Sequence, residues 1–180
     1  MTVNIEVRLC PKEQSFILHN IYPLYLHDIA EIWGVRPNRF GVFEKEDVPT
    51  LSEQSKQLDV WWEQPSVLFP YLISVDGIAA GLALVATTPY IPSPNIQYYL
   101  NDFFVLRTFR RQGVAQRAAE LVFDHFQGAW ELQTNPTERN MSTQIFWRKT
   151  LNTYTGGRYT EHDGVHPEKG DMLVFRFNNK

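Results

Sequence analysis

The sequence has little cysteine, no surplus of positive charge and no long apolar run, and each shortage excludes a class of protein. Cys10 is the only cysteine among 180 residues, so neither an intrachain disulfide nor a metal site of several cysteines can form. We expect Cys10 to be a small packed residue beside the first strand rather than a nucleophile. The formal net charge of -3 at pH 7 disfavours a protein that coats nucleic acid, because phosphate binding depends on clustered Lys and Arg.

No apolar stretch approaches the roughly 20 residues that a membrane-crossing helix needs, and residues 1–6 lack the basic and then apolar layout of a secretory signal. We therefore expect a cytoplasmic protein without a membrane partner. Apolar residues make up 43% of the chain, which is enough for one continuous core. Neither an internal repeat nor a Gly/Ser linker interrupts the sequence, so we predict one domain over residues 1–180.

The first third of the chain predicts a strand and two helices. Apolar and charged residues alternate over residues 5–9, as in a half-buried strand. Residues 18–29 carry apolar side chains at helical spacing, and Pro23 is expected to kink that helix or divide it. Thr50 and Glu53 match a capping box, which predicts a second helix that runs through Trp61 or Trp62.

The rest of the chain predicts strands with two further helices. Residues 67–75 and 78–87 flank Asp76-Gly77, the usual chemistry of a two-residue hairpin. The remaining predicted elements are strands at 98–106, 130–134, 158–161 and 172–177 and helices at 115–126 and 137–151. Gly164 and Pro167 indicate a loop around His162 and His166, and we expect no metal site. The pattern predicts an α/β (α+β) fold with mostly antiparallel strands and one strand-helix-strand unit.

A basic turn at residues 107–115 joins the strand that ends near Leu106 to an amphipathic helix. The first turn of a helix presents unpaired backbone N–H groups and the positive end of the helix dipole, so an anion binds there unless a side chain blocks it. Gly113 removes that obstruction and Ala115 keeps the next position small. Arg110 and Arg111 can add charge-assisted hydrogen bonds to phosphate oxygens.

This turn resembles the coenzyme A signature of the GNAT superfamily of acetyl-CoA-dependent N-acetyltransferases, which reads Arg or Gln, two residues, Gly, one residue, then Gly or Ala. Arg110, Gly113 and Ala115 fit that signature. The preceding residues 99–105 are most similar to the spermidine/spermine acetyltransferase branch, in which an acidic pair precedes Phe-Phe-Val. The second motif of the superfamily is similar to Asn140, Thr143, Phe146 and Trp147.

The resemblance implies a twisted sheet of about seven strands, flanked by about four helices and splayed between the fourth and fifth strands. Acetyl-CoA is then the cosubstrate, its pantetheine arm pairing with backbone of residues 103–105 like an added strand. The residues that the resemblance assigns to the coenzyme are Phe103, Phe104, Val105, Arg110, Arg111, Gln112, Gly113, Val114, Ala115, Asn140, Phe146 and Trp147.

The resemblance also implies direct transfer, in which a neutral amine attacks the thioester and a backbone N–H near Val105 stabilises the oxyanion. An alkylammonium group with a pKa of about 10.4 must first lose a proton, to a carboxylate or to a chain of waters. Asp102 is the candidate base, although an Asp in an apolar strand equally fits a structural hydrogen-bond network.

Two residues depart from the family pattern. Asn101 occupies the place where the polyamine branch carries glutamate, and Asn accepts no proton at neutral pH. Trp147 stands where many members use a tyrosine to protonate the leaving thiolate, and its indole is too weak an acid. Tyr154 is the nearest substitute, either as that general acid or as a packing or substrate-contact residue.

The sequence therefore predicts an enzyme that acetylates a primary amine on a small molecule or a protein and acts as a monomer or homodimer. A second hypothesis is a non-catalytic module that binds acyl-CoA, suggested by Asn101 and Trp147. A third is nucleic-acid binding by residues 146–149, which the overall acidity disfavours.

Overall fold

The structure is a computed structural model that describes residues 3–44 and 46–180. Its centre is one seven-stranded sheet in the order β1-β2-β3-β4-β5-β7-β6. The strands are β1 Ile5–Leu9, β2 Leu68–Val75, β3 Ile78–Ala86, β4 Tyr98–Val105, β5 Ala129–Thr134, β6 Tyr159–His166 and β7 Gly170–Asn178. β4 and β5 run parallel, whereas the other neighbouring pairs are antiparallel. The predicted fold class is confirmed.

Helices cover both faces of the sheet. They are α1 Ser15–Trp33, α2 Leu51–Ser55, α3 Val60–Glu63, α4 Val114–Asp124 and α5 Met141–Thr155. Pro23 does not divide α1, which continues through it. The Thr50 hydroxyl accepts a hydrogen bond from the Glu53 N–H at 3.1 Å, so the predicted cap is confirmed. The helix that follows is shorter than predicted, because a 3-10 turn at Lys56–Leu58 separates α2 from α3.

The sheet separates two apolar cores. On one face Val105 and Trp130 belong to the core that α4 and α5 cover. On the other face Leu84 and Phe104 pack with Leu18 of α1. Because successive strand residues point to opposite faces, Phe103 and Val105 face α4 and α5, whereas Phe104 faces α1.

Two turn predictions had different outcomes. Asp76 and Gly77 both have positive φ, 49° and 79°, as the predicted hairpin requires. The loop expected around His162 and His166 is wrong, since both residues lie in β6 and pair with β7. Continuous pairing with a neighbouring strand outweighs the local preference of Gly164. Within the described residues, none of the helices has both the length and the apolar composition needed to cross a bilayer.

Candidate functional site

β4 and β5 are paired at one end and separated at the other. Their register runs from Tyr98 opposite Trp130 to Leu100 opposite Leu132, and it ends there although both strands continue. Among the residues that the structure describes, none pairs with the edge of residues 101–105 that faces β5. A cleft therefore opens in the middle of the sheet.

A bulge lies where the separation begins. Leu84 of β3 pairs with Asp102 and Val85 pairs with Leu100, so Asn101 is an extra residue on β4. A bulge bends its strand and increases the local twist. Further along, a Cβ on Gly81 would collide with the carbonyl oxygen of Phe104. Glycine therefore lets β4 lie close against β3 at the level where it has left β5.

The hydrogen-bond pattern of β4 determines which backbone groups face this cleft. The Leu106 N–H donates to the Ala80 carbonyl at 2.8 Å, and Val105 is opposite Gly81 in the same register. In an antiparallel pair, residues that bond to the partner strand alternate with residues whose N–H and C=O point away from it. The N–H groups of Phe103 and Val105 therefore point to the side that β5 has vacated.

The start of α4 is open. Gly113 precedes the helix with φ of 78°, and no side chain caps the helix. A Cβ on Gly113 would meet nothing within 4 Å, so the glycine satisfies a left-handed backbone and leaves the space above it empty. The first intrahelical bond runs from Arg117 to the Gly113 carbonyl. The N–H groups of residues 114–116 are thus without intrahelical acceptors, as an anion site requires.

The side chains of this turn have separate positions. Val114 is buried in the core and Ala115 is partly buried against it. The Gln112 amide donates to the Thr108 carbonyl at 3.0 Å. Arg111 has φ of 63° and an exposed side chain.

Arg110 has other partners than the predicted phosphate. Its Nε donates to the Val105 carbonyl and one terminal nitrogen donates to Asp28 Oδ2, both at 2.7 Å. Its guanidinium also lies 5.2 Å from the centre of the Phe104 ring. Arg110 thus holds the turn against β4, and Arg111 is the arginine that remains in solvent for an anion.

Asp28 of α1 was not singled out by the sequence. Its carboxylate also binds Arg107 at 3.1 Å. Burial tends to raise the pKa of Asp28, but the hydrogen bonds from Arg107 and Arg110 outweigh it and lower the pKa overall. The one signal in the sequence was a carboxylate among the apolar side chains of α1, three residues after Tyr25.

Asp102 lies on the α1 side of the cleft. Its Oδ1 accepts a hydrogen bond from the Tyr25 hydroxyl at 2.6 Å, and its Oδ2 accepts one from the Asn101 amide at 2.8 Å. Across residues 3–44 and 46–180, no Lys or Arg forms an ion pair with it. Asn101, which stands where the polyamine branch carries glutamate, is therefore a hydrogen-bond donor to the neighbouring carboxylate.

The residues of the second motif lie on the other side of the cleft. Buried Asn140 donates to the Thr134 hydroxyl at 2.7 Å and to the Asn135 carbonyl at 2.8 Å, so it ties the end of β5 to the start of α5. Phe103 stacks on Phe146 with ring centres 6.2 Å apart and meets Trp147 at 5.4 Å. These aromatic side chains form an apolar wall beside the unpaired edge of β4.

The structure does not support Tyr154 as the general acid. Its hydroxyl donates to Asp124 Oδ1 at 2.9 Å and accepts from Asn179 at 3.1 Å, while its ring packs on Phe123. Asp124 is the last residue of α4, roughly 16 Å along the helix from Gly113. Burial and the contact with Asp124 raise the pKa of Tyr154 to about 12, although the Asn179 bond opposes this. A packing role fits these contacts.

Glu131 is a second residue that the sequence did not indicate. It lies in β5 and is fully buried. Arg176 donates to its Oε2 at 2.7 Å, and Ser93 and Gln133 donate to its Oε1 at 3.0 and 2.7 Å. This network joins β5 to β7 beside the cleft. Among the described residues, no group of three or more His, Cys, Asp or Glu side chains is arranged to hold a metal ion.

The profile of the Acetyltransferase (GNAT) family matches residues 27–151. This range contains the cleft, the open start of α4 and most of α5. The chain belongs to the GNAT family of acetyltransferases and is an acyltransferase.

Solved structures of acetyltransferases share the fold over nearly the whole chain. The RimL ribosomal L7/L12 alpha-N-protein acetyltransferase in complex with coenzyme A has a TM-score of 0.63 at 14% identity, over 97% of this chain and 93% of that one. The aminoglycoside acetyltransferase AAC(6')-Ib in complex with coenzyme A has a TM-score of 0.64 at 12% identity, over 97% of this chain and 95% of that one. The yncA protein from Salmonella typhimurium, solved with its cofactor acetyl-CoA, has a TM-score of 0.60 at 11% identity, over 98% of this chain and 94% of that one. No curated protein matches the chain.

Proposed function

We propose that the protein transfers the acetyl group of acetyl-CoA directly to a primary amine of a small molecule or a protein. The observation that carries this proposal is the separation of β4 from β5 beyond Leu100 and Leu132, next to the uncapped start of α4. An unpaired strand edge accepts an extended amide chain, and an uncapped helix start accepts a phosphate. Acetyl-CoA carries both groups. Its binding by solved relatives of the same fold supports the assignment.

In this proposal the coenzyme lies on the side of the cleft that α4 and α5 form. The pyrophosphate binds the N–H groups of residues 114–116, and Arg111 adds a charge-assisted bond. The pantetheine arm pairs with the unpaired edge at Phe103 and Val105. Asn140 orders the opposite wall, and Phe146 and Trp147 supply its apolar surface.

The acceptor amine approaches from the α1 side. Asp102 takes a proton from the ammonium group, and the neutral nitrogen then attacks the thioester carbonyl. The Val105 N–H donates to the oxyanion as the C–N bond forms. The C–S bond breaks as the carbonyl is restored, and the nitrogen gives up its second proton, which a water relays to the departing thiolate. Coenzyme A leaves as the free thiol, and Asp102 returns its proton to solvent.

A thiol-release assay tests the reaction. Acetyl-CoA is incubated with the protein and with polyamines, aminoglycosides, amino acids or peptides that have free N-termini, and mass spectrometry identifies the acetylated product. We expect one acceptor class to release thiol and acetylated amine in equal amounts. Tight coenzyme binding without turnover on any amine would instead support the second candidate, a non-catalytic module that binds acyl-CoA. Its specific support is that the Tyr154 hydroxyl is bonded to Asp124 and Asn179, so it supplies no general acid.

Replacement of the proposed base gives a separate prediction. Asp102→Asn should lower kcat/KM by about 10²- to 10⁴-fold and leave the Kd for acetyl-CoA within about twofold, because the carboxylate lies across the sheet from the coenzyme wall. Asp124→Asn is the matched control, since Asp124 also accepts a tyrosine hydroxyl but lies at the far end of α4. A retained kcat/KM and pH profile in Asp102→Asn would remove Asp102 as the base.

A further inference from the structure

We propose that Tyr25 is a positioning residue for the reaction, whose hydroxyl orients the Asp102 carboxylate before an amine arrives. This inference rests on the proposed function, in which Asp102 accepts the proton. Tyr25 lies in α1, 77 residues from Asp102 in the sequence, and it belongs to neither of the two motifs.

The geometry restricts how Asp102 can turn. The Tyr25 hydroxyl is 2.6 Å from Oδ1 and the Asn101 amide is 2.8 Å from Oδ2. A carboxylate offers about four acceptor positions, and these two donors occupy one on each oxygen. With both oxygens held, the plane of the carboxylate is fixed, and the remaining positions are available to an ammonium group.

In the hydrogen bond between Tyr25 and Asp102, the phenol is the donor and the carboxylate is the acceptor. Burial, followed by the charge of Asp102 and the hydrogen bond to it, raises the pKa of Tyr25 well above its ordinary value. The phenol therefore stays protonated and donates. The phenol is therefore the donor and Oδ1 of Asp102 the acceptor, so the bond holds that oxygen in place.

Tyr25 is itself held firmly. Its ring contacts those of Tyr22 and Phe104, with centres 5.9 and 5.5 Å away. One turn further along α1, Asp28 binds Arg110 at 2.7 Å, so the same helix face holds the candidate base and the turn before α4. The Asp28–Arg110 ion pair therefore fixes the helix that carries the Tyr25 hydroxyl against the turn on the coenzyme side of the cleft.

Other titratable groups surround this pair. Burial raises the pKa of Tyr22 in α1 and of Tyr99 in β4, and the negative charge of Asp102 raises both further. The charge of Glu44, between α1 and α2, also raises the pKa of Tyr22. The charge of Glu131 in β5 also raises the pKa of Tyr99. None of these groups is replaced in Tyr25→Phe, so the difference in kcat/KM between that variant and the wild type reports on the lost hydroxyl.

The test measures kcat/KM for the full chain with acetyl-CoA and the acceptor that the thiol-release panel identifies. Tyr25→Phe should lower kcat/KM about tenfold, because one oxygen of the Asp102 carboxylate is no longer held in the productive orientation. The Kd for acetyl-CoA should stay within about twofold. Tyr154→Phe is the matched control because it also removes a hydroxyl that donates to an aspartate, and its kcat/KM should stay within about twofold of wild type. A folded Tyr25→Phe protein with unchanged kcat/KM would overturn the proposal.

A double-mutant cycle separates positioning from a merely structural effect. If Tyr25 acts through Asp102, Tyr25→Phe should cause no further loss of kcat/KM in the Asp102→Asn protein. A tenfold loss in both backgrounds would contradict the inference. Retained activity in Asp102→Asn alone would instead refute the base assignment, so the two failures are distinguishable.

A second substitution covers the case in which Tyr25→Phe does not fold. Site-specific 4-fluorophenylalanine at position 25 keeps the ring contacts and fills the place of the hydroxyl with a group that cannot donate. The kcat/KM should then fall about tenfold. An unchanged kcat/KM with an intact fold would again overturn the proposal.

Discussion

The two ends of α4 are built in opposite ways. At its start, Gly113 leaves the helix uncapped beside an open cleft. Near its end, Phe123 is fully buried and packs edge to face against Trp130 and Phe177, with ring centres 5.1 and 4.9 Å away. We call the start at Gly113 the open end of α4 and the region of Phe123 its closed end. Packing at the closed end stabilises the helix, so the N–H groups at the open end can remain free for a ligand.

The β4–β5 pair shows the same division. The strands are bonded beside Trp130, near the closed end of α4, and they are apart beyond Leu100, near the open end. Substitutions at the open end should therefore change ligand binding and turnover, whereas substitutions at the closed end should change the free energy of unfolding.

The largest expected effect comes from the open end. Gly113→Glu places bulk and negative charge at the proposed pyrophosphate site. It should weaken acetyl-CoA binding by about 100-fold, or about 2.7 kcal/mol, which calorimetry measures. Gly156→Glu is the matched control, because Gly156 follows α5 with φ of 63° and its Cβ position is also empty. Both variants carry the strain of a left-handed residue, roughly 1–2 kcal/mol. Equal affinities in the two variants would contradict the pyrophosphate site.

An intermediate effect is expected where α1 meets the turn before α4. Asp28→Asn should lower the free energy of unfolding by roughly 1–2 kcal/mol at pH 7, because Arg107 and Arg110 lose a charged partner that is only partly shielded from water. The pKa of Asp28 is lowered in the folded state, so its contribution is present above the unfolded pKa of about 3.9 and is lost as the pH falls through the folded pKa.

Urea unfolding of both proteins at neutral pH and near pH 3 measures this effect. The difference between wild type and Asp28→Asn should shrink at the acidic pH. A difference that stays constant would mean that the ion pairs contribute no pH-dependent stability.

The smallest effect is expected at the closed end. Tyr154→Phe removes hydrogen bonds to Asp124 and Asn179 and should lower the free energy of unfolding by about 1 kcal/mol, measured by urea denaturation. Its kcat/KM should stay within about twofold of wild type. A tenfold fall in kcat with unchanged stability would return Tyr154 to a catalytic role and break the comparison between the two ends.

The predictions that were confirmed depend on neighbours in the sequence. The Thr50–Glu53 cap spans three residues, and the Asp76–Gly77 turn depends on the dihedral angles of its own residues. Gly113 likewise shows a left-handed backbone directly before a helix. Short-range steric and hydrogen-bond rules determine such features, so one sequence suffices to find them.

The partners of the candidate site residues depend on distant contacts instead. Arg110 binds a carboxylate 82 residues away, and Glu131 is buried because Arg176, 45 residues later, neutralises it. Tyr154 came after the second motif in sequence, but the length of α5 carries it away from the cleft. A periodicity pattern contains no information on such pairs, so the sequence predicted the open start of α4 but not the partners of Arg110, Glu131 and Tyr154.

Because the pairing of β4 with β5 stops at Leu100 and Leu132, strand edges inside the sheet remain unpaired, and another molecule can bind between them. A ligand that binds there and does not bind the unfolded chain raises the free energy of unfolding by about 2.7 kcal/mol when its free concentration is 100 times its Kd. Resistance to proteolysis, and hence the lifetime of the protein in a cell, would then follow the supply of that ligand.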